Sequence, residues 1–193
     1  MKPILSVTLI ALAAIVAILS WYGLFAKVTF SEQTISPFSF AYKKQTGNYR
    51  QSGRAMNELY VELGEEGIST TKGVGLYYDN PRKVAVKNLR SLAGCILPEE
   101  SSEKWGELRT NYLVGSLPGA TLPVVTFPYK GKLSVVLGTL RVYPKINAWF
   151  KNHPEQLGPV MEIYDISKGE IRYVVTRPMG GEVLDALWRA ELP

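Results

Sequence analysis

Cysteine and histidine are nearly missing from this chain of 193 residues, which holds one of each, Cys95 and His153. A single cysteine excludes an intrachain disulfide and a thiolate-rich metal site, and a single histidine excludes zinc sites built from two or three histidines. The glycines follow no spacing that is typical of a phosphate-binding loop, so the sequence gives no support for nucleotide binding. We therefore expect neither a metal nor an organic cofactor.

A large excess of one charge is missing as well. The chain has 22 lysines and arginines against 17 aspartates and glutamates, and its formal net charge is +5. This surplus is too small and too scattered to predict a nucleic-acid partner. Hydrophobic residues make up 46% of the chain and charged residues 20%, which excludes a disordered protein and favours one globular domain with a sizeable core.

Charge is absent from one long stretch near the start, residues 3–26. As a helix this stretch would span about 36 Å, enough to cross a hydrocarbon core of about 30 Å. Trp21 and Tyr22 lie near one end, where aromatic rings favour the membrane interface. We interpret it as an uncleaved transmembrane helix rather than a signal peptide, because it is too long and no small-x-small cleavage site follows. The sequence thus predicts a single-pass membrane protein, with the lipid bilayer as a partner through residues 3–26.

The lysines that flank this stretch favour a cytoplasmic domain only slightly. Lys2 and the terminal amine precede the stretch, whereas Lys27, Lys43 and Lys44 follow it. Because cytoplasmic flanks carry the excess of lysine and arginine, we place the domain on the cytoplasmic side. The membrane would be that of the endoplasmic reticulum in a eukaryote and the inner membrane in a bacterium.

Residues 38–193 form one predicted domain with two similar units, and residues 27–37 link it to the apolar stretch. The first unit, residues 38–97, has predicted strands at 38–44, 73–79 and 89–97 and a helix at 49–66. The second unit, residues 119–179, has predicted strands at 122–129, 160–165 and 170–177 and a helix at 132–152 that Pro144 should break or restart. Residues 98–118 are an insert with a short helix around 102–109, and residues 180–193 are a C-terminal segment.

Each unit therefore reads strand, helix, strand, strand, and the two share short sequence matches. Leu76-Tyr77-Tyr78-Asp79 aligns with Glu162-Ile163-Tyr164-Asp165. An isolated unit of this kind has a small core, whereas two units can join their sheets and place both helices over one face. We predict an α+β fold: an antiparallel sheet with helices on one face and pseudo-twofold symmetry between duplicated units.

Several short segments occur in a fixed order through these units. They are Ala41-Tyr42-Lys43, Tyr77-Tyr78-Asp79-Asn80-Pro81, Thr126-Phe127-Pro128-Tyr129 and Glu162-Ile163-Tyr164. The ordered set resembles the gyrase-inhibitor-like (GyrI-like, SHS2-type) superfamily of small-molecule-binding domains. The resemblance implies a groove between the two units that receives small, often cationic or aromatic, molecules, with the glutamate at position 162 on its floor.

With the apolar N-terminal stretch, the resemblance is strongest to a membrane-anchored branch of that superfamily. In that branch the domain hangs from the reticulum membrane into the cytosol and acts as a receptor for selective autophagy. That activity depends on a long, acidic, disordered tail, which this sequence does not show, so we do not carry the role over. The resemblance leaves two alternatives to a ligand-binding module, a membrane-tethered adaptor that recruits another protein and a hydrolase of small molecules.

Glu162 is the first candidate for the ligand site. In a strand it shares a face with Val160 and Tyr164, while Met161 and Ile163 point to the other face. A carboxylate among tyrosines attracts a cation, and its desolvation raises its pKa. The alternative is that Met161 and Ile163 face the core and leave Glu162 in solvent.

Aromatic side chains are the predicted walls of the groove, because they hold flat or cationic ligands by stacking and cation–π contacts. The candidates are Tyr78, Tyr164, Tyr173, Tyr49 and Trp149. The sequence alignment puts Tyr78 at the position of Tyr164, so we expect Tyr78 on the face of Glu162. The alternative is that these tyrosines reflect strand propensity, and that Trp149 packs in the core beside its helix.

The case for catalysis is poor. Cys95 lies in an apolar strand, where a thiol usually behaves as a small buried hydrophobe, and His153 lies at a predicted helix end. Asp79 and Asp165 end equivalent strands and are best explained as turn formers. A paired-carboxylate hydrolase that uses Glu162 and one of them stays open as an alternative. After ligand binding and protein recruitment, the third hypothesis is a hydrolase of small molecules, for which the resemblance implies a glutamate and a tyrosine.

Overall fold

Eight strands and five α-helices make up the computed structural model, which describes the backbone of residues 2–192 and the side chains of residues 6–192. The strands are β1 (Ser31–Ile35), β2 (Phe38–Thr46), β3 (Lys72–Tyr77), β4 (Arg90–Ile96), β5 (Leu113–Leu117), β6 (Ala120–Pro128), β7 (Val160–Asp165) and β8 (Glu170–Val175). The helices are α1 (Lys2–Trp21), α2 (Ser52–Glu65), α3 (Trp105–Asn111), α4 (Lys132–Asn152) and α5 (Gly181–Arg189).

All eight strands belong to one antiparallel sheet, in the order β1-β6-β8-β7-β3-β4-β2-β5. Its centre is the seam between β3 and β7, where Gly75 lies opposite Glu162 and Gly73 opposite Tyr164. β2, α2, β3 and β4 lie on one side of this seam, and β6, α4, β7 and β8 contribute the other side. The α+β class and the antiparallel sheet are therefore confirmed.

The sheet curls because two short links join its opposite ends. β1 passes to β2 through Ser36 and Pro37, and β5 passes to β6 through Pro118 and Gly119. A link of two residues spans no more than about 10 Å, so strands at the two ends of the order must approach one another. The two links lie close together, since a Cβ atom placed on Gly119 would be 2.9 Å from Pro37 Cδ.

Helices cover both faces of the sheet. One face, here called the two-helix face, lies under α2 and α4. Ala55, Leu59 and Leu63 of α2 recur at helical spacing and are buried against the sheet. The other face carries a core cluster that α5 joins through Leu184 and Leu187. The prediction of helices on one face thus describes α2 and α4 but misses α5.

The prediction of a single-pass membrane protein is wrong. In the part of the chain that the structure describes, no helix has both the length and the apolar character needed to cross a bilayer. The apolar run does not stay in one helix, because α1 ends at Trp21 and Gly23 follows with a φ of +106°. Leu24 and Ala26 then pack against the domain core instead of extending the helix. This finding contradicts the predicted single-pass membrane location.

Three further features differ from the sequence prediction. α4 runs without a break through Pro144, whose ring is exposed. Proline has no N–H, so the Leu140 carbonyl receives no hydrogen bond from it, and Leu140 is exposed as well. β1 lies inside the predicted linker 27–37, and β5 lies inside the predicted insert, where only a short helix was expected. α5 lies inside the C-terminal segment, for which no secondary structure was expected.

Candidate functional site

Glu162 is buried at the centre of the two-helix face, with only 3% of its surface exposed. Its Oε1 accepts a hydrogen bond of 2.6 Å from the Tyr143 hydroxyl, and its Oε2 accepts one from the Tyr164 hydroxyl. Tyr164 stands two residues along β7 on the same face, whereas Tyr143 reaches down from α4. Both carboxylate oxygens are therefore capped by phenols from two different elements.

The side chain of Tyr77 fills the space opposite Glu162. β3 carries glycine at positions 73 and 75, which face Tyr164 and Glu162 across the seam. A Cβ atom on Gly75 would lie 2.8 Å from the Tyr77 hydroxyl, so the phenol lies directly over this glycine. Alternate glycines on one face of a strand leave room for a close approach of this kind.

Tyr173 forms the side of the site on β8, where it lies directly opposite Glu162. Its ring meets that of Tyr143 edge-on, with the centroids 6.0 Å apart. α4 comes close to the sheet here because residue 138 is glycine: a Cβ atom there would lie 2.2 Å from the Tyr173 hydroxyl. The Tyr173 hydroxyl is fully buried and makes no hydrogen bond among the described residues.

Burial dominates the electrostatics of the site. It raises the pKa of Glu162 above its ordinary value, although the hydroxyl bonds from Tyr143 and Tyr164 act in the opposite direction. Burial together with the charge of Glu162 raises the pKa values of the tyrosines Tyr77, Tyr143, Tyr164 and Tyr173. None of the ion pairs of the described residues includes Glu162. The site is an acidic group inside a cage of neutral phenols.

The remaining sequence candidates lie further from Glu162. Tyr49 meets the ring of Tyr77 edge-on at 4.9 Å, and its hydroxyl accepts a hydrogen bond from the backbone N–H of Asp79. Burial raises the pKa of Tyr49 to about 12. Trp149 lies near the end of α4, stacked on His153 and in contact with Phe30. Tyr49 thus borders the cage through Tyr77, whereas Trp149 belongs to the packing around α4.

The expectation that Tyr78 shares the face of Glu162 is wrong. Tyr78 packs against the core of the opposite face, where its hydroxyl donates to the Leu184 carbonyl at 2.6 Å. Gly75, not Leu76, lies opposite Glu162, so Leu76 and Tyr78 point to the other face. A shift of one residue moves every side chain of a strand to the other face. Tyr77 therefore takes the place that was predicted for Tyr78.

The polar groups considered for catalysis have structural partners. Cys95 is buried beneath α2, and burial raises the pKa of its thiol to about 12. Asp79 accepts two side-chain hydrogen bonds from Arg90, at 3.0 and 2.9 Å. Asp165 accepts hydrogen bonds from Ser167 Oγ and the Lys168 N–H in the turn between β7 and β8. These contacts explain all three side chains as parts of the fold.

Two surface concavities lie away from Glu162. One of about 480 Å³ borders the chain end near Lys43, Lys44 and Leu192. Another of about 360 Å³ lies beside the last turns of α2, near Tyr60 and Val61. Neither concavity is lined by Glu162 or by the phenols that cap it.

The sequence analysis did not single out Tyr143 or the role of the glycines on β3, and it placed Tyr77 on the face opposite to Glu162. Tyr143 lies one residue before Pro144, where a break in the helix was expected, and the continuous α4 directs its hydroxyl to Glu162. The glycines at 73 and 75 were tested only against phosphate-binding spacing. Their alternation along a predicted strand is the signal of a face that leaves space for neighbouring side chains, which are Met56 over Gly73 and Tyr77 over Gly75.

The curled antiparallel sheet and its helices define an α+β domain, with a buried carboxylate among aromatic side chains at the centre of one face. The chain belongs to the GyrI-like family, because the profile of the GyrI-like small molecule binding domain matches residues 29–176. The resemblance drawn from the ordered segments of the sequence is thereby confirmed.

Curated relatives and a solved structure agree with this assignment. The chain is 32% identical to human testis-expressed protein 264 over 166 residues, which cover 81% of this chain and 51% of the relative. It is 29% identical to the mouse homolog over 161 residues, 79% of this chain and 50% of that one. The chain thus spans about half the length of these relatives. A chain in a cryo-EM structure of an EcmrR–DNA complex has the same fold, with a TM-score of 0.53, 13% identity, and coverage of 76% of this chain and 56% of that one.

Proposed function

We propose that the protein binds a compact organic cation in the space over β3 and β7, with Glu162 as its counter-charge and tyrosine rings as its walls. The observation that carries this proposal is that Glu162 is buried without a basic partner among the described residues. A buried carboxylate without a cation is costly, and a bound cation supplies the missing charge. Phenol rings also attract cations through their π faces, which makes the surrounding cage suitable for such a ligand.

Entry of the ligand requires a change at the carboxylate, because Tyr143 and Tyr164 cap both of its oxygens. A cation that approaches Glu162 shares or replaces at least one of these hydrogen bonds. Tyr143 is the hydroxyl that arrives from a helix rather than from the sheet. A shift of α4 therefore opens the site without disturbing the strands.

The test compares a cation with its neutral isostere. Phenyltrimethylammonium and tert-butylbenzene have nearly the same shape and differ in charge, and both are titrated into the protein and two variants in a calorimeter. Glu162→Gln removes the charge but keeps the shape, and Glu103→Gln removes a charge from an exposed position as the matched control. We expect binding of the cation to weaken about tenfold or more in Glu162→Gln alone. Equal binding of the cation to all three proteins, or tighter binding of the neutral compound, contradicts the proposal.

We also propose that the two strand-helix-strand-strand units are repeats related by a pseudo-twofold axis through the β3–β7 seam. In support, the strand order outward from the seam is β7-β8-β6 in one direction and β3-β4-β2 in the other. Superposition of the Cα atoms of residues 38–97 on those of 119–179 should bring α2 onto α4 together with the three strands. Helices that cross their strands at different angles would contradict a common repeat.

Protein recruitment is the second candidate, and an exposed apolar patch on α2 favours it. Tyr60 and Val61 are exposed there beside the smaller of the two concavities. Exposed apolar patches of this kind mark contact sites for other proteins. If this patch recruits a protein, Val61→Asp abolishes co-purification of that partner while Glu162→Gln leaves it intact. The opposite pattern places the function at the buried carboxylate.

A further inference from the structure

The segment from Tyr22 to Phe30, here called the N-terminal strap, lies against α4 on the two-helix face. Leu24, Ala26 and Val28 pack on the apolar cluster between α4 and the sheet. Phe30 continues this contact, with its ring centroid 4.4 Å from that of Trp149 on α4. The strap joins α1 to the sheet and covers much of the length of α4 on the way.

Two polar contacts fix the strap to α4. Ser134 Oγ donates to the Tyr22 carbonyl at 3.1 Å, and Arg141 Nη1 donates to the Gly23 carbonyl at 2.8 Å. Gly23 allows this approach because its φ is +106° and because a Cβ atom there would lie 2.7 Å from the Phe127 ring. The chain at Gly23 is thus held between Arg141 and the core.

The strap and Glu162 hold α4 from opposite flanks. Successive residues of an α-helix are turned by about 100°, so Tyr143 points about 200° away from Arg141. Ser134, seven residues before Arg141, lies within about 20° of it on the flank of the strap. Val142 and Ile146, which lie between the two flanks, face the sheet. A roll of α4 that carries Tyr143 away from Glu162 must therefore also move the two anchors of the strap.

We propose that the N-terminal strap positions α4 so that Tyr143 closes over Glu162, and that occupation of the Glu162 site by a cation loosens the strap. Ser134 and Arg141 are positioning residues in this scheme, since they act on the site through α4. The part of the scheme that involves a ligand rests on the proposed function. The coupling between the strap and Tyr143 through α4 does not depend on any ligand.

The scheme fixes the sign of two effects. The closed state has Tyr143 on Glu162 and the strap anchored, whereas the open state has lost both. A ligand that binds the open state shifts the population toward it, and any change that weakens the closed state raises the apparent affinity of that ligand. Loss of a strap anchor should thus tighten cation binding. A side chain that merely supports the fold would weaken binding on removal or leave it unchanged.

The first measurement needs no ligand. Hydrogen–deuterium exchange of the full chain is followed in peptides that cover residues 22–30. Tyr143→Phe removes the hydroxyl that holds α4 to Glu162, and Tyr60→Phe removes an exposed hydroxyl from α2 as the matched control. We expect exchange in the strap to rise about threefold or more in Tyr143→Phe and to stay unchanged in Tyr60→Phe. Unchanged exchange in Tyr143→Phe overturns the proposal.

The second measurement tests the reverse direction. Phenyltrimethylammonium is titrated into the protein and into Arg141→Ala and Arg141→Lys, since Arg141 is half-buried and its loss leaves the apolar core in place. We expect Arg141→Ala to bind the cation about threefold more tightly and Arg141→Lys, which keeps a donor, to return toward the parent value. Weaker or unchanged binding in Arg141→Ala overturns the coupling. Should the cation bind none of these proteins, the proposed ligand class fails, and the exchange experiment alone decides whether the strap holds Tyr143.

Discussion

Gly75→Ala should destabilise the protein, although alanine is the better residue for a strand. The new methyl group would lie 2.8 Å from the Tyr77 hydroxyl and 2.9 and 3.0 Å from two of its ring carbons. The Tyr77 ring cannot simply swing aside, because Tyr49 packs against it edge-on. Relief of the overlap therefore requires a shift of the aromatic cage.

Two opposing terms set the size of the effect. Overpacking of a well-filled site costs about 1–3 kcal/mol, while replacing a strand glycine by alanine recovers about 0.5–1 kcal/mol. The overlap wins, so the free energy of unfolding should fall by about 1–2 kcal/mol. Urea denaturation measures this, with Gly64→Ala as the control, since a Cβ atom there meets nothing within 4 Å. That helical substitution should raise stability by about 0.5–1 kcal/mol.

A double-mutant cycle isolates the contact with Tyr77. Once Tyr77→Ala has removed the ring, Gly75→Ala should become stabilising by about 0.5 kcal/mol, because only the gain in strand propensity is left. If Gly75→Ala has the same effect with and without the ring, Tyr77 does not lie over Gly75 and our account of the site is refuted.

Two further predictions concern pH and stability. Because burial raises the pKa of Glu162 above 4.5, the folded protein keeps a proton that the unfolded chain has lost, and stability falls as the pH rises from 4.5 through the raised pKa. Glu162→Gln should remove this pH dependence and raise the free energy of unfolding at neutral pH by about 1.4 kcal/mol for each unit by which the pKa of Glu162 is raised. Denaturation of both proteins between pH 4.5 and 8 measures this, and the same pH dependence in both would contradict it. Burial acts to raise the pKa of Asp79, but its hydrogen bonds with Arg90 lower it below 3.8, so this pair stabilises above that pH and the contribution is lost as the pH falls through the lowered pKa. Asp79→Asn should lower the free energy of unfolding at neutral pH by about 1 kcal/mol, a small effect because Arg90 is partly exposed. It should also make the protein less sensitive to acid below pH 3.8 in the same assay. An unchanged acid midpoint would show that the pair contributes nothing.

The strands and helices of both units could be predicted from periodicity because their two patterns differ clearly. Alternation placed Glu162 and Tyr164 on one face of β7, and both lie there. Helical spacing located Leu59 and Leu63 of α2 against the sheet. Burial of one face imposes these repeats directly on the sequence, so local pattern is sufficient to find them.

The details of the site depended on register, which local pattern does not give. Tyr77 and Tyr78 are adjacent tyrosines that point to opposite faces, and only the pairing of Gly75 with Glu162 decides between them. The position of Tyr143 depended on whether α4 continues through Pro144, which the local pattern does not decide. The apolar composition of residues 3–26 was attributed to a membrane, whereas Leu24 and Ala26 are used by the core of the domain.

The seam between β3 and β7 has a consequence for synthesis on the ribosome. β3 cannot pair with β7 until β7 has been synthesised, because Tyr77 pairs with Val160 and Lys72 with Asp165. At about 5–20 residues per second, the edge of β3 stays open for roughly 4–20 seconds after it has been made. An open edge of this kind invites pairing with other nascent chains. Gly73 and Gly75, which leave space for the Met56 and Tyr77 side chains in the finished protein, also make β3 a poor template during that interval.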